Sequence, residues 1–396
     1  MAKTVGIVAE YNPFHKGHKF QLDYLKSQGF GKIAVAMSGS TVQRGEISLL
    51  DKFCRAKMAV NCGASLVCEI PYPYSSFSAE GFAKSGVHIL KNLGVDAISF
   101  GSESADLDLL CGIAEFLLTE EYEANVKKHL AENIPFASAR EKAIVEKFAL
   151  SKEVITASND ILALEYIKEC RRLNWNVEFV PVKRQGANYN DLAAKSGFAS
   201  ASGIRNAVKE YRFAQATKFV PAEIQKEFLN RLEQGDYFAS DTAYEKAVIA
   251  SLKKLSAYDF AKLPDCNKEL SHAFENALAT ANSFEKMFSN LPTKQYTKAR
   301  LNRIMLFAFL GITDNTPDLP PYIRILAMDK NGEEIVKTAS ENSALPISHS
   351  YRILQDKSED YRIVCQKESF ATDIQSLFFK LSGDGRKDFT TKLYKK

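Results

Sequence analysis

Short apolar runs separated by amphipathic stretches dominate the first half of the chain. Thr4–Ala9 (TVGIVA), Ile33–Met37 (IAVAM), Leu66–Ile70, Ala97–Phe100 and Val177–Val182 are strand-length and mostly closed by turn residues, so they read as strands. Between them, Phe20, Leu22 and Leu25 mark one amphipathic helix. Asp51 to Cys62 forms a second, stopped by Gly63, Ser78–Leu93 a third and Asn159–Leu173 a fourth. Strands spaced by helices predict βαβ units and a mostly parallel sheet. Ligands of such sheets bind beyond the carboxyl ends of the strands. The loops at 10–18, 38–45, 101–104 and 183–190 are therefore where chemistry is expected. Past residue 210 the pattern changes: 214–290 reads as helical, and 291–312 as a basic and then apolar helix. A small α/β tail follows, with Tyr322–Met328 as a strand and Asp329–Glu333 as a turn. The expected organisation is an α/β domain over 1–210, a helical region over 211–290 and a C-terminal region over 291–396.

Length and charge narrow the possibilities. At roughly 150 residues per domain, 396 residues predict two to three domains. Lys and Arg number 52 against 48 Asp and Glu, a net charge of +4. That is too small for a general polyanion-attracting field, although a local basic patch is compatible with it. The longest apolar stretch, Ile304 to Ile312, is about half the ~20 residues a membrane-spanning helix needs. Val5–Ala9 runs directly into Glu10 without a cleavage signature, so no secretory signal is read. The seven cysteines are dispersed with no CxxC pair, which reads as free thiols in a reducing, cytoplasmic setting.

Two short motifs carry chemistry. His15-Lys16-Gly17-His18 follows the first strand and opens a helix, after a turn at Asn12-Pro13. Helix-start N–H groups attract an anion, Gly17 permits close approach, and imidazoles can donate to phosphoryl oxygens as charge builds. Two exposed loop histidines without a role, or a metal pair at i, i+3, are the competing readings. Ser200-Ala201-Ser202-Gly203-Ile204-Arg205 places two hydroxyls and a guanidinium at another helix start, a set suited to the β,γ-phosphates of a nucleotide. Alone it reads more readily as a plain N-cap beside an exposed arginine, and it is the two motifs together that are specific. No GxxxxGK[ST] loop is present, and Gly29-Phe30-Gly31 precedes a strand, the wrong order for a dinucleotide turn.

The first motif resembles the HxGH signature of the Rossmann-like HIGH-type nucleotidyltransferase superfamily, and the second its Ser/Thr-rich partner. Further segments resemble the bacterial tRNA(Met) cytidine acetate ligase family: Ala9-Glu10-Tyr11-Asn12-Pro13-Phe14-His15, Met37-Ser38-Gly39, Gln43-Arg44-Gly45-Glu46, Asp51-Lys52, Phe100-Gly101-Ser102-Glu103 and Ser158-Asn159-Asp160-Ile161-Leu162. Thr297–Phe307 and Tyr322–Ile325 match more loosely, and Gly203 stands where the family has a side chain. The resemblance implies a ligase that activates acetate with ATP as acetyl-adenylate. The acetyl group then passes to N4 of the wobble cytidine of elongator tRNA(Met), giving N4-acetylcytidine.

The same resemblance implies an ATP site formed by Ile7, Val8, Ala9, Glu10, Tyr11, Asn12, Pro13, Phe14, His15, Lys16, Gly17, His18, Lys19 and Phe20. Gly101, Asn159, Arg184, Gln185, Ser200 and Ser202 would complete it, with His15, His18 and Arg205 stabilising phosphate charge in catalysis. Asn159 could equally cap the helix at Asp160. Arg44, in a glycine-bounded loop after the second strand, is a candidate for the acetate carboxylate. Mg2+ on the leaving pyrophosphate is expected, although no dedicated protein metal site is read. For tRNA, Lys294, Lys298, Arg300 and Arg303 form an acid-free basic run in the C-terminal RNA-binding region, with Lys294 and Lys298 on one helical face and Tyr296 as a stacking ring. A charge run is also commonly just a solvated face. Two rival functions stand beside this reading: an adenylyltransferase acting on a small phosphorylated metabolite, and an RNA-binding protein with a regulatory ATP site.

Overall fold

A computed structural model describes residues 2–132, 134–149, 158–184, 198–312, 315–381 and 383–396. Ten strands occur among them: β1 Thr4–Ala9, β2 Lys32–Ser38, β3 Thr41–Val42, β4 Glu46–Ile47, β5 Leu66–Ile70, β6 Ala97–Ser102, β7 Glu178–Lys183, β8 Ile323–Met328, β9 Ile347–Ser348 and β10 Tyr394–Lys395. Eight form one sheet, in the order β10-β8-β5-β2-β1-β6-β7 with β9 beside β8. β5, β2, β1, β6 and β7 run parallel, as βαβ alternation predicts. The order reverses at β1, which has β2 on one side and β6 on the other; ligands of open α/β sheets bind at such a switch point.

Alternation along the strands sorts the core. Ile33, Val35 and Met37 of β2 join one apolar cluster and Ala34 and Ala36 the other, so both faces of the sheet are covered. Helices α1 (Lys16–Ser27) and α2 (Lys52–Asn61) cover the first face, and α3 (Ala79–Asn92) packs on the second with the helix Ser158–Arg172. A third apolar cluster gathers residues 244–310 with Ala371 into the helical part.

The C-terminal tail is α/β, and its strands enter the main sheet. β8 pairs antiparallel with β5, and β10 and β9 flank β8 in parallel. Residues 291–396 and 1–210 thus share a sheet. Two local expectations change. Asp329–Glu333 does not turn back a hairpin: the Asp329 carboxylate accepts from Gly332 N at 2.9 Å and caps the helix Lys330–Asn342. The basic helix starts only at Lys298, capped by Thr297, so Lys294 lies in the preceding turn and shares no helical face with Lys298.

A fully buried charge network joins tail to sheet. Lys52 Nζ lies 2.5 Å from Glu69 Oε1, 2.7 Å from Asp388 Oδ1 and 2.9 Å from Glu368 Oε1. Arg324 pairs with Asp388 and sits 3.5 Å over the Tyr351 ring. Arg55, equally buried, donates to the carbonyls of Leu50, Glu10, Ser38 and Gly39, tying the carboxyl ends of β1 and β2 together.

Candidate active site

The HxGH turn caps its own helix with its own imidazoles. His15 Nδ1 accepts from Gly17 N at 3.1 Å, and His18 Nδ1 accepts from His15 N at 3.2 Å, closing a reciprocal capping box. The rings stack with centroids 3.7 Å apart. Tyr11 and Phe14, both buried, pack against His18 at 4.7 and 5.5 Å. Burial, then the neighbouring Arg184 charge, pushes His15 down to about 3. Burial and the charges of His15 and Arg184 hold His18 well below the ordinary histidine range. Both rings are therefore neutral near pH 7. With Nδ1 accepting, each carries its proton on Nε2 and has that one N–H left for a ligand. Gly17 has a specific reason to be glycine: a Cβ there would stand 2.9 Å from the His15 ring.

Around this turn the expected residues divide into those that present side chains and those that fill the core. Ile7, Val8, Tyr11 and Phe14 are buried in the core, leaving only backbone to a ligand. Lys16, Gly17, Lys19 and Phe20 are half-buried, and Lys19 pairs with Asp23 and Glu223. Asn12 Oδ1 accepts from Leu49 N at 2.7 Å, while its buried Nδ2 has no partner among the described residues. Arg205 reaches back to the turn, donating to Asn12 O at 2.8 Å, and lies 3.3 Å from Ser202 Oγ and 3.4 Å from Glu46 Oε2. Ser200 caps the helix Ala201–Lys209, accepting from Gly203 N at 3.0 Å. The second motif thus meets the first across 193 residues of sequence.

The third side of the site stands at the ends of β6 and β7. Glu103 accepts from Asn159 Nδ2 at 2.5 Å and from Asp160 N at 3.2 Å, and lies 3.5 Å from Arg184. Among the described residues, a Cβ on Gly101 would meet only Arg184, at an ordinary 3.7 Å, so their packing does not require glycine there. Gln185 lies outside the described residues. Glu46 and Glu103 pair with Arg205, Asn159 and Arg184, tasks that nothing in a lone acidic residue of the sequence announces.

Arg44 stands in the β3–β4 hairpin, which faces the turn. Gln43 N donates to Glu10 Oε1 at 3.0 Å, and Arg44 and Arg205 both oppose the burial that raises the Glu10 carboxyl above its ordinary range. The basic run at 294–303 is less uniform than its sequence. Lys294 and Lys298 are exposed. Arg300 is half-buried, donating to Asp265 O at 2.6 and 2.8 Å and covering the Tyr296 ring at 4.8 Å. Arg303 is buried against Asp265 at 2.6 Å, and Tyr296, only 8% exposed, accepts from Asn267 through its hydroxyl. Arg303 and Tyr296 are thus packed into the helical part, where an RNA phosphate or base does not reach them. Among the described residues, no three His, Cys, Asp or Glu side chains converge to hold a metal ion.

Comparison with known proteins adds a family to this geometry. The family model for HIGH nucleotidyl transferases matches residues 2–388. A tRNA(Met) cytidine acetate ligase of Caldanaerobacter subterraneus subsp. tengcongensis is 33% identical, with 98% of each chain covered. One of Clostridium kluyveri is 36% identical over 87% of this chain and 89% of that protein. The crystal structure of Thermotoga maritima TmcAL bound with alpha-thio ATP aligns over 100% of both chains, with a TM-score of 0.90 and 26% identity. Its apo form gives 0.92 and 27%. The chain belongs to the tRNA(Met) cytidine acetate ligase family of HIGH-type nucleotidyltransferases.

Proposed function

We propose that this enzyme activates acetate with ATP and acetylates N4 of the wobble cytidine of elongator tRNA(Met). The observation that carries the reading is the pair of neutral, stacked imidazoles capping α1, with Arg205 tied to the same turn and the Arg184 charge pressing on both rings. This set offers two N–H donors, a helix start and cations around one point at the switch of strand order. In the first step an acetate oxygen bonds to the α-phosphorus while the bond from that phosphorus to the α,β-bridging oxygen breaks and pyrophosphate leaves. The histidine Nε2–H groups and Arg205 oppose the charge that grows on the phosphate oxygens. Neutral rings suit this role, since each remains a fixed donor without a proton to lose near pH 7. In the second step the cytidine N4 bonds to the acyl carbon, the acyl–oxygen bond to AMP breaks, and N4 loses a proton.

Arg44 is the proposed partner of the acetate carboxylate, because its hairpin borders Glu10 and Arg205. Mg2+ would enter with the ATP phosphates, holding them through oxygen ligands and waters; the protein offers it no convergent cage among the described residues. Lys294 and Lys298 remain the exposed members of the proposed tRNA patch, as phosphate contacts. The unpaired cysteines suit a cytoplasmic enzyme, and no helix among the described residues is long and apolar enough to cross a membrane.

The test is pyrophosphate release from ATP with no addition, with acetate, and with acetate plus bulk tRNA, while labelled acetate is followed into RNA. The reading expects acetate-dependent release and label in tRNA. Release indifferent to acetate, with no label transferred, would hand the site to a phosphorylated metabolite instead.

A further inference from the structure

The helix Glu359–Leu377 lies far along the chain from the HxGH turn, yet one of its faces is devoted to a segment of the active site. Glu368, Thr372 and Gln375 fall at i, i+4 and i+7, so they share that face, and all three are buried. Glu368 Oε1 accepts from Ser40 N at 2.8 Å, and Thr372 Oγ1 pairs with Ser40 Oγ at 2.8 Å. Gln375 Nε2 donates to Ser48 O at 2.7 Å, Ser48 Oγ at 2.8 Å and Leu50 O at 3.1 Å. Ser40 and Ser48 are the two feet of the β3–β4 hairpin, joined by Ser48 N to Ser40 O at 2.9 Å. With carbonyls on that side, the Gln375 amide can only present its NH2 group there.

The tip of the same hairpin is held by a second C-terminal helix. Gly45 sits at φ +73 against the helix Lys298–Leu310, and a Cβ there would come 2.4 Å from Arg303 N. Between feet and tip lie Gln43, bonded to Glu10, then Arg44, then Glu46, which faces Arg205. Glu368 also joins Lys52 and Tyr72 N, whereas Thr372 and Gln375 bond to the feet of the hairpin, so these two reach the site through it.

We propose that Glu368, Thr372 and Gln375 are positioning residues that set the hairpin carrying Arg44, so that the C-terminal part fixes the acetate side of the adenylation site. This rests on the reading of the site as acetate-activating. A hairpin held only for stability would lower the maximal rate through the folded fraction and leave both KM values where they were; one held for geometry moves the KM of the substrate it contacts.

The experiment is acetate-dependent exchange of pyrophosphate into ATP by the full chain, with separate KM values for acetate and ATP and a thermal melt. Gln375→Leu removes the NH2 that three acceptors share and is expected to raise the acetate KM roughly ten-fold or more, since small displacements of positioning groups have large kinetic effects, with the ATP KM within about two-fold. Thr372→Val, a milder change, serves if the first variant fails to fold, and should move the acetate KM in the same direction. Arg44→Ala marks the size of the acetate effect when the contact itself is lost. Acetate and ATP KM values that stay at the parental level in folded variants, or that rise equally alongside a lowered melt, would overturn the proposal. A parent enzyme without acetate-dependent exchange would instead overturn the functional reading, a failure visible before any variant is measured.

Discussion

Two regions of this molecule bury polar side chains, and they do so in opposite ways. Around Lys52, two cations and three carboxylates close on one another, with Tyr351 covering Arg324. Around His15 and His18, two imidazoles satisfy the start of their own helix and keep an N–H each in reserve, beside an Asn12 amide nitrogen with no partner among the described residues. In the first arrangement the charges are matched internally, and what is left over among the described residues is an acceptor, Asp388 Oδ2; in the second what is left over is donors. A buried polar cluster whose bonds are all internal holds chain segments in place, whereas one with donors left over is poised for something that arrives.

The comparison can be broken most severely at Lys52. Lys52→Met leaves Glu69, Glu368 and Asp388 facing one another in a buried space. Removing one partner of such a network typically costs about 3–5 kcal/mol, so a urea midpoint close to that of the parent would refute a structural role. His18→Ala should do the reverse. Losing one preorganised donor lowers the rate by roughly 10²–10³-fold, and adenylate formation should fall on that scale while the melting temperature moves little. Intact adenylate formation would remove the phosphate-cradle argument.

A subtler separation uses pH. His15 is pushed from its ordinary 6.5 down to about 3 by burial. Between those values the unfolded chain binds a proton that the folded protein refuses, so stability falls as the pH drops through that window. Glu368, pushed up to about 7 by burial, contributes with the opposite sign, so the variant must be read against its parent. His15→Asn keeps a capping acceptor and should flatten the fall in urea midpoint from pH 6 to pH 4. An unchanged slope would mean that His15 protonates without strain.

What was legible in the sequence follows from how local each signal is. The parallel strands announced themselves by apolar runs, and the HxGH turn by four consecutive residues after a strand. Arg205 could be paired with that turn because both carry motifs, although their contact through Asn12 O depends on the fold. The basic run misled for a physical reason: charge can be read from a sequence, but its partner cannot. Asp265, which buries Arg303 and engages Arg300, is distant in sequence and lies in a stretch without periodic signal. Glu103 and the face of Glu368, Thr372 and Gln375 were silent for the same reason, since their meaning resides in backbone groups elsewhere. Asp329 was read as a turn former, and its side chain instead starts a helix, which Asp-Lys-Asn-Gly composition alone does not decide.

The antiparallel insertion of β8 beside β5 has a consequence for the newborn chain. On the ribosome, β1, β2 and β5 emerge early, whereas β8 and β10 follow much later. Synthesis proceeds at roughly 5–20 residues per second, so for much of translation the β5 edge offers unpaired peptide groups to whatever strand comes near. β5 thus gains its neighbour on that side only when β8 has been made. A chain cut short before β8 would carry the nucleotide motifs intact and be a target for chaperones and proteases instead of a catalyst.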